Sequence, residues 1–385
     1  MKRDFFMLFP ILILLLLLGG INYYLARRSF DTFSYLFPKA GFYIYLGIFA
    51  LITVFILLGF FRSMLPFPTG VKSFLAVIAA FLMGFFVYIL LYTLLAEGAF
   101  QIARLCKVSC SKELLRFICG ISALSLTFIT VIYGFYNGRQ TKIVEYDVSV
   151  EKAIEGELTL AVISDLHLGA VGSEERLEDI VREINSLTPD VICIAGDFFD
   201  SDFHSIKNPE RAIEILKGLK SKYGSYLCLG HHDAGKTFDQ MQEFIDKCGI
   251  VALYEDSVTI DDRFILVGRL DRSPIGDSGD MKSKDTEEVI SGLEEGLPII
   301  VLDHNPACID EYGNEADLIL SGHTHKGQIF PGSLITNSIY EVDHGFYQKD
   351  ESSPKIIVTS GVGAWGMPMR VGTRSEILKV TVRGK

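Results

Sequence analysis

The sequence predicts a multi-pass anchor of four membrane helices over residues 1–142, followed by an α/β domain over 143–385. Three observations carry that prediction. Four uncharged, strongly apolar stretches occupy 5–26, 40–61, 73–96 and 117–138. The charge balance then reverses: residues 1–142 hold 13 Lys/Arg against 4 Asp/Glu, whereas 143–385 hold 23 against 43. From about residue 143, short apolar runs alternate with amphipathic segments, the pattern of strands and helices sharing one α/β domain.

Each apolar stretch is at least 22 residues long, and about 20 residues of helix cross the hydrocarbon core. Backbone in lipid must satisfy itself as a helix or a closed barrel. These runs lack the alternation of a barrel strand, so they read as four spans. A cleaved leader is the rival reading for 5–26, but its run is long, lacks an A-x-A-like site and precedes three further spans. Apart from Tyr and Cys, no ionisable side chain falls inside the runs. That argues for an anchor rather than a transport or proton path. Tyr23, Tyr24, Tyr43, Tyr45, Tyr133 and Tyr136 stand near span ends, as an interfacial belt requires. The chain therefore reads as a multi-pass protein of the plasma membrane. The flanking Lys/Arg tally is almost even and leans slightly toward an extracytoplasmic domain. Seven Cys without a spacing pattern favour free thiols and lean the other way.

Within the domain, 158–164, 191–195, 225–229, 264–268, 299–302 and 318–320 read as buried strands, and 355–359 and 376–382 as terminal β structure. Residues 174–187, with Ser173 as N-cap, together with 209–220, 238–247 and 286–294, read as helices. Five polar clusters follow five of these strands. They are Asp165-Leu166-His167, Gly196-Asp197, Gly230-His231-His232-Asp233, His304 and Gly322-His323-Thr324-His325. Six of the eight His fall in them. Side chains at the carboxyl ends of strands converge on one crevice, whereas a rim of merely solvated loops would not place His or Asp after every apolar run. Carboxylate oxygen and imidazole nitrogen suit Mn, Fe or Zn. The candidates outnumber the ligands one ion needs. Two divalent ions about 3.5–4 Å apart would use them all, and such a pair serves in-line displacement at phosphorus.

In that order, D-x-H, G-D, G-x-H-D, H and G-H-x-H, the residues resemble the calcineurin-like metallophosphoesterase superfamily over roughly 158–383. The run Leu302-Asp303-His304-Asn305-Pro306 and the tail from Gly361 to Arg370 resemble a bacterial, membrane-anchored branch. The resemblance implies a four-layer αββα sandwich and a metal-dependent phosphoric ester hydrolase. It also implies roles by position. Asp165, His167 and His325 hold one metal, Asp197 bridges, and His304 and His323 hold the other. His232 contacts the phosphate and protonates the leaving oxygen, and Asp233 orients His232 through a hydrogen bond. His231 stands where the family has Asn. It ligates the second metal, or leaves that site weak, or turns away to support substrate. Asp200 either supports the loop, as a second acid does in the family, or only caps or pairs with a nearby base. His204 and His344 match no motif position and read as surface or core residues, and Arg370 reads as a group that could reach an anionic substrate.

The domain's acidity argues against long nucleic acid, whose binding rests on Lys/Arg. A phosphorylated small molecule or a lipid at the membrane is the expected substrate. The rival function is a catalytically weak or inactive metal-binding membrane module with a sensing or partner-binding role. A transporter with a regulatory domain fits less well, because the spans carry no polar path.

Overall fold

The computed structural model describes residues 2–385 apart from 173, 274, 277–280 and 295, and side chains apart from those of residues 1–11, 63 and 175 as well. The N-cap expected at Ser173 thus lies outside the described residues. The chain divides into two compact units, Met1–Tyr133 and Gly134–Lys385.

The first unit is helical. It contains α1 (Lys2–Phe33), α2 (Phe42–Phe60), α3 (Thr69–Leu105) and most of α4 (Lys112–Gly138). Three helices, α2, α3 and α4, are long and apolar enough to cross a membrane. The stretch 5–26 lies within α1, whose first side chains are outside the described set, so a fourth span stays an expectation. Helix α3 runs well past the apolar stretch 73–96, because the segment that follows is rich in good helix formers and ends only at Cys106. Charges just outside the spans pair with one another: Arg28 Nε lies 3.1 Å from Glu97, which also pairs with Arg116.

The second unit contains β1 (Thr141–Val150), β2 (Glu157–Ile163), α5 (Glu174–Ser186), β3 (Val191–Ala195), α6 (Pro209–Leu216), β4 (Ser225–Cys228), α7 (Phe238–Cys248), β5 (Val251–Leu253), β6 (Asp256–Ile260), β7 (Phe264–Gly268), α8 (Thr286–Ile290), β8 (Ile299–Leu302), β9 (Leu318–Ser321), α9 (Gly332–Ile339), β10 (Gly345–Tyr347), β11 (Lys355–Val358) and β12 (Ser375–Gly384). They build two mixed six-stranded sheets, β1-β12-β2-β3-β4-β5 and β10-β11-β9-β8-β7-β6. Alternation along each strand sorts the core. Leu158, Leu160 and Val162 of β2 pack with Leu266, Ile300 and Leu320 of the other sheet. Ala161 and Ile163 join Leu177, Ile180, Ala212, Met241 and Phe244 from α5, α6 and α7. On the far side, Ile265, Val301 and Ile319 pack with Ile290, Ile309 and Tyr312.

Two helices end before the expected boundary. Helix α6 stops at Leu216, just short of Gly218, and α8 stops at Ile290, just short of Gly292 at φ +95, where glycine ends helices readily. Strand β1 starts at Thr141 and pairs in parallel with all of β12. The parallel runs β2-β3-β4-β5 and β7-β8-β9-β11 matter most. They set the carboxyl ends of the strands within each run along one edge, where the polar clusters follow.

Candidate metal centre

The loops after β2 and β3, and those after β8 and β9, are laced to one another through their backbones, and the loop after β4 is tied to the β3 loop through the carboxylates of Asp233 and Asp197. Asp165 N–H donates to Gly196 O at 2.9 Å, His167 N–H to Asp197 O at 3.1 Å, and Gly322 N–H to His304 O at 2.9 Å. Glycine is required where these loops touch: a Cβ at Gly230 would collide with Asp197, and one at Gly322 with Ser164 and Asp165. Asp165, His167, Asp197, His323 and His325 all adopt positive φ, between 48° and 68°. Each such non-glycine residue costs of order 1–3 kcal/mol, and five of them at one place mark a constrained, functional surface.

The sequence-predicted residues come together in three overlapping groups, with ligand atoms in each within 4.8 Å of one another: Asp197, His231, His304 and His323; Asp165, His167 and His325; and His167, Asp197 and His232. Asp197, which also reaches His167, stands between the first two groups. His304 Nε2 lies 3.1 Å from Asp197 Oδ2, His231 Nδ1 3.4 Å, and His167 Nε2 3.9 Å. His325 Nε2 lies 3.4 Å from Asp165 Oδ1 and 3.1 Å from His167 Nε2. His304 Nδ1 stands 2.8 Å from Ala195 O, which turns Nε2 toward Asp197 as a ligating imidazole requires.

The electrostatics fit a cation. Burial lowers His167 to about 3 and His232 to about 4, and it also lowers His323 and His325, the latter with help from the adjacent Arg370. These rings are therefore neutral, the form that ligates a metal. Burial would raise Asp197, but His304, His167 and His231 hold it well below the usual carboxylate range. Burial raises Asp165, an expensive state for a carboxylate that a nearby cation relieves. Among the described residues, His167 Nδ1, His231 Nδ1 and His323 Nδ1 are buried polar atoms without hydrogen-bond partners. Orphaned nitrogens in a carboxylate-lined cleft are what a metal-ligand shell looks like when only protein atoms are counted. The donor set of two carboxylates and several imidazoles suits two divalent ions.

Two expected contacts are corrected. Asp233 does not orient His232. Its Oδ1 accepts Phe199 N–H at 2.8 Å and its Oδ2 accepts Gly230 N–H at 2.9 Å. The carboxylate is thereby spent on tying the β3 and β4 loops together. Ser201 Oγ instead stands 2.5 Å from His232 Nδ1, a partner that no motif position announced. Arg370 does not reach toward solvent. It is wholly buried, and its guanidinium donates to His325 O at 3.0 Å, Ser360 O at 2.7 Å and Gly363 O at 2.6 Å.

Asp200 Oδ1 lies 4.0 Å from His167 Nδ1, behind the ring. His204 is exposed, and His344 Nε2 pairs with Glu376 at 3.1 Å. Two aromatic rings that the sequence reading passed over flank the cleft: Trp365, 6.2 Å from the His232 ring, and Tyr340, 6.1 Å from the His323 ring.

A family model described as calcineurin-like phosphoesterase matches residues 158–327. A Danio rerio protein described as "Transmembrane protein with metallophosphoesterase domain" is 32% identical over 282 residues, 68% of this chain and 62% of its own length. An "Uncharacterized metallophosphoesterase" of Aquifex aeolicus is 32% identical over 264 residues, 67% of this chain and 99% of its own length. Another of that description, from Helicobacter pylori, is 30% identical over 251 residues, 63% of this chain and 65% of its own length. The chain thus spans less than two thirds of the Danio and Helicobacter relatives.

Proposed function

This chain belongs to the calcineurin-like metallophosphoesterase family, and from that premise we propose that it is a membrane-anchored phosphoesterase with two divalent metals. The reading takes residues 1–142 as a four-helix anchor. It takes 143–385 as a four-layer αββα domain hydrolysing phosphoester or pyrophosphate bonds of a small molecule or lipid. One observation carries it: eight ligand-type side chains from five separate loops converge, with buried imidazole nitrogens left unpartnered.

In this reading Asp165, His167 and His325 hold one ion and His231, His304 and His323 the other, with Asp197 between them. The ions are Mn, Fe or Zn by donor chemistry. When bound, such a pair activates water and neutralises charge on the phosphoryl oxygens. The chain's own residues do the rest. His304 gives up its proton on ligation and keeps its place through Ala195 O. Ser201 Oγ is bonded to His232 Nδ1; in this reading the hydroxyl is the donor, which puts the proton of the neutral ring on Nε2. From there it is offered to the leaving oxygen as a hydrogen bond rather than as a standing charge. Asp233 holds the loop that carries His232, so its effect on the reaction is one of positioning.

The full chain, loaded with Mn, Fe or Zn, is expected to hydrolyse bis-p-nitrophenyl phosphate, to lose at least about 100-fold in rate after chelation, and to recover on metal return. Two bound metals without turnover would instead favour the inactive metal-binding module, and no bound metal would sink both readings. At the position where the family has Asn, His231→Ala is expected to weaken the second cation by at least about 10–100-fold, since losing even a hydrogen-bond partner of a ligand costs that much. His231→Asn should keep that cation. Equal metal content and rate in all three proteins would remove His231 from the shell.

A further inference from the structure

Helix α9 leaves its apolar side chains in the open. Among the described residues, all eight of its own included, it buries no side chain. Its Leu334, Ile335 and Ile339 are 64%, 59% and 68% exposed. Its Thr336 is half-buried and donates from Oγ1 to Asp343 Oδ2 at 2.7 Å, Asn337 and Ser338 are exposed as well, and Asp343 O accepts Thr324 Oγ1 at 2.6 Å. A helix in water ordinarily buries its apolar stripe. Residues 329–340 contain no Asp, Glu, Lys or Arg, and neither do residues 361–369, in a domain that is otherwise densely and negatively charged. The second of these segments presents Trp365, 44% exposed and the only tryptophan of the chain. Gln328 clamps the two segments together. Its Nε2 donates to Trp365 O and Met367 O, both at 2.9 Å, and its Oε1 accepts Trp365 N–H at 2.8 Å.

The same surface is fastened to the end of α4 that lies within this unit. Residues 134–138, the last turn of α4, belong to this unit. Arg370 N–H donates to Gly134 O at 3.0 Å, and Asn137 Nδ2 donates to Arg370 O at 3.0 Å and Thr373 O at 2.9 Å. One residue on, Phe330 N–H donates to Val371 O at 2.8 Å, and α9 follows. Apolar aliphatics and a fixed indole, uncharged, on a surface tied to residues 134–138 have the composition of an interfacial membrane contact.

We propose that α9 and the Trp365 loop dip into the lipid interface and form the membrane-facing rim of the metal cleft, so that the site takes phosphoesters of amphiphiles resident in the bilayer. The proposal rests on the phosphoesterase reading for its chemistry and on the exposed apolar surface for its partner. Trp365 stands beside His232 and Tyr340 beside His323. A headgroup held at the cations would therefore keep its acyl chains in lipid while the ester bond is cut.

The sole tryptophan makes the test direct. The full chain is placed in phosphatidylcholine nanodiscs, plain or brominated on the acyl chains, and excited selectively at the indole. Brominated lipid is expected to cut Trp365 emission at least two-fold, with weak quenching by aqueous iodide. Emission indifferent to bromine overturns the proposal. If iodide quenches strongly, the surface faces water. If neither quencher acts, a second copy or a protein partner covers it. In the second arm, the double substitution Leu334→Asn with Ile335→Asn is expected to lower hydrolysis of a diacyl p-nitrophenyl phosphodiester in the nanodisc about ten-fold, and to leave bis-p-nitrophenyl phosphate turnover unchanged. Equal loss on both esters, or loss on neither, also overturns it. Wild-type inactivity toward both esters would overturn the phosphoesterase reading alone, because the quenching arm reads the surface without turnover.

Discussion

Asp197→Asn will reduce turnover by about three orders of magnitude or more and strip the protein of at least one of its two cations. The substitution is nearly isosteric. It keeps an oxygen for the His232 backbone N–H, which now donates to Asp197 Oδ1 at 2.9 Å, so the loop has no reason to collapse. What it removes is the one charge that faces both ligand groups. His304, His231 and His167 all approach Oδ2, and an amide there offers a single weaker oxygen donor or turns a nitrogen toward the cation. Metal-ion stabilisation of the transition state is worth several kcal/mol, and each 1.36 kcal/mol is ten-fold in rate. A loss of about 10³-fold or more is therefore the expected scale. His304 offers a second readout in the metal-free protein. It is held above its ordinary pKa by Asp197, against the opposing effect of burial, so its titration should move down in the variant. Turnover within ten-fold of wild type, with both metals retained on elemental analysis, would remove Asp197 from the bridging role and the two-metal reading with it.

The centre was legible because its chemistry and its placement coincide in the sequence. An apolar run ending in His or Asp reads as a strand end with a polar loop, and five such runs in order were enough to name Asp165, His167, Asp197, His231, His232, His304, His323 and His325 as side chains that converge, which they do. The strands of the parallel core read equally well, since residues buried on both faces form continuous apolar runs. Edge strands did not. Strand β6 (Asp256–Ile260) is mostly half-exposed and its apolar signal is diluted, and β5 and β10 are three residues each. Supporting contacts were the least legible. Ser201 and Asp233 both follow a strand end and both are polar. Which of them meets His232 depends on the loop path, and Asp233 turns back to two backbone N–H groups. Helix α9 escaped for a different reason. Its pattern looks ordinary, and only the exposure of its apolar residues separates it from a core helix.

Arg370 illustrates the same limit with a large energetic consequence. An arginine near a glycine-rich tail reads as a hand for anions, yet here it is the pin of the loop that closes the centre. Its guanidinium binds backbone oxygens of residues 325, 360, 361 and 363, and Gly363 N–H in turn donates to Asp165 O at 2.9 Å. Arg370→Met keeps much of the apolar stem and removes the donors, leaving several buried carbonyls without partners. Each unsatisfied buried group costs about 1–3 kcal/mol, so the loop is expected to lose about 3 kcal/mol or more. At roughly 2–4 °C per kcal/mol for a domain of this size, the midpoint of its thermal transition should fall by about 6–12 °C, read in the full chain through Trp365 on the same loop. The metal centre should follow. Arg370 lies against both His325 O and, at 3.2 Å, His325 Nδ1, so the first ligand group should bind its cation more weakly as well. Arg370→Lys keeps the charge but cannot span these carbonyls with a fork, and belongs between wild type and Met in both readouts. If Arg370→Met melts within 2 °C of wild type and keeps full metal content, the pin is dispensable and the loop is held by its other ties, the Gly363 N–H to Asp165 O bond, Gln328 and the turn of α4 among them.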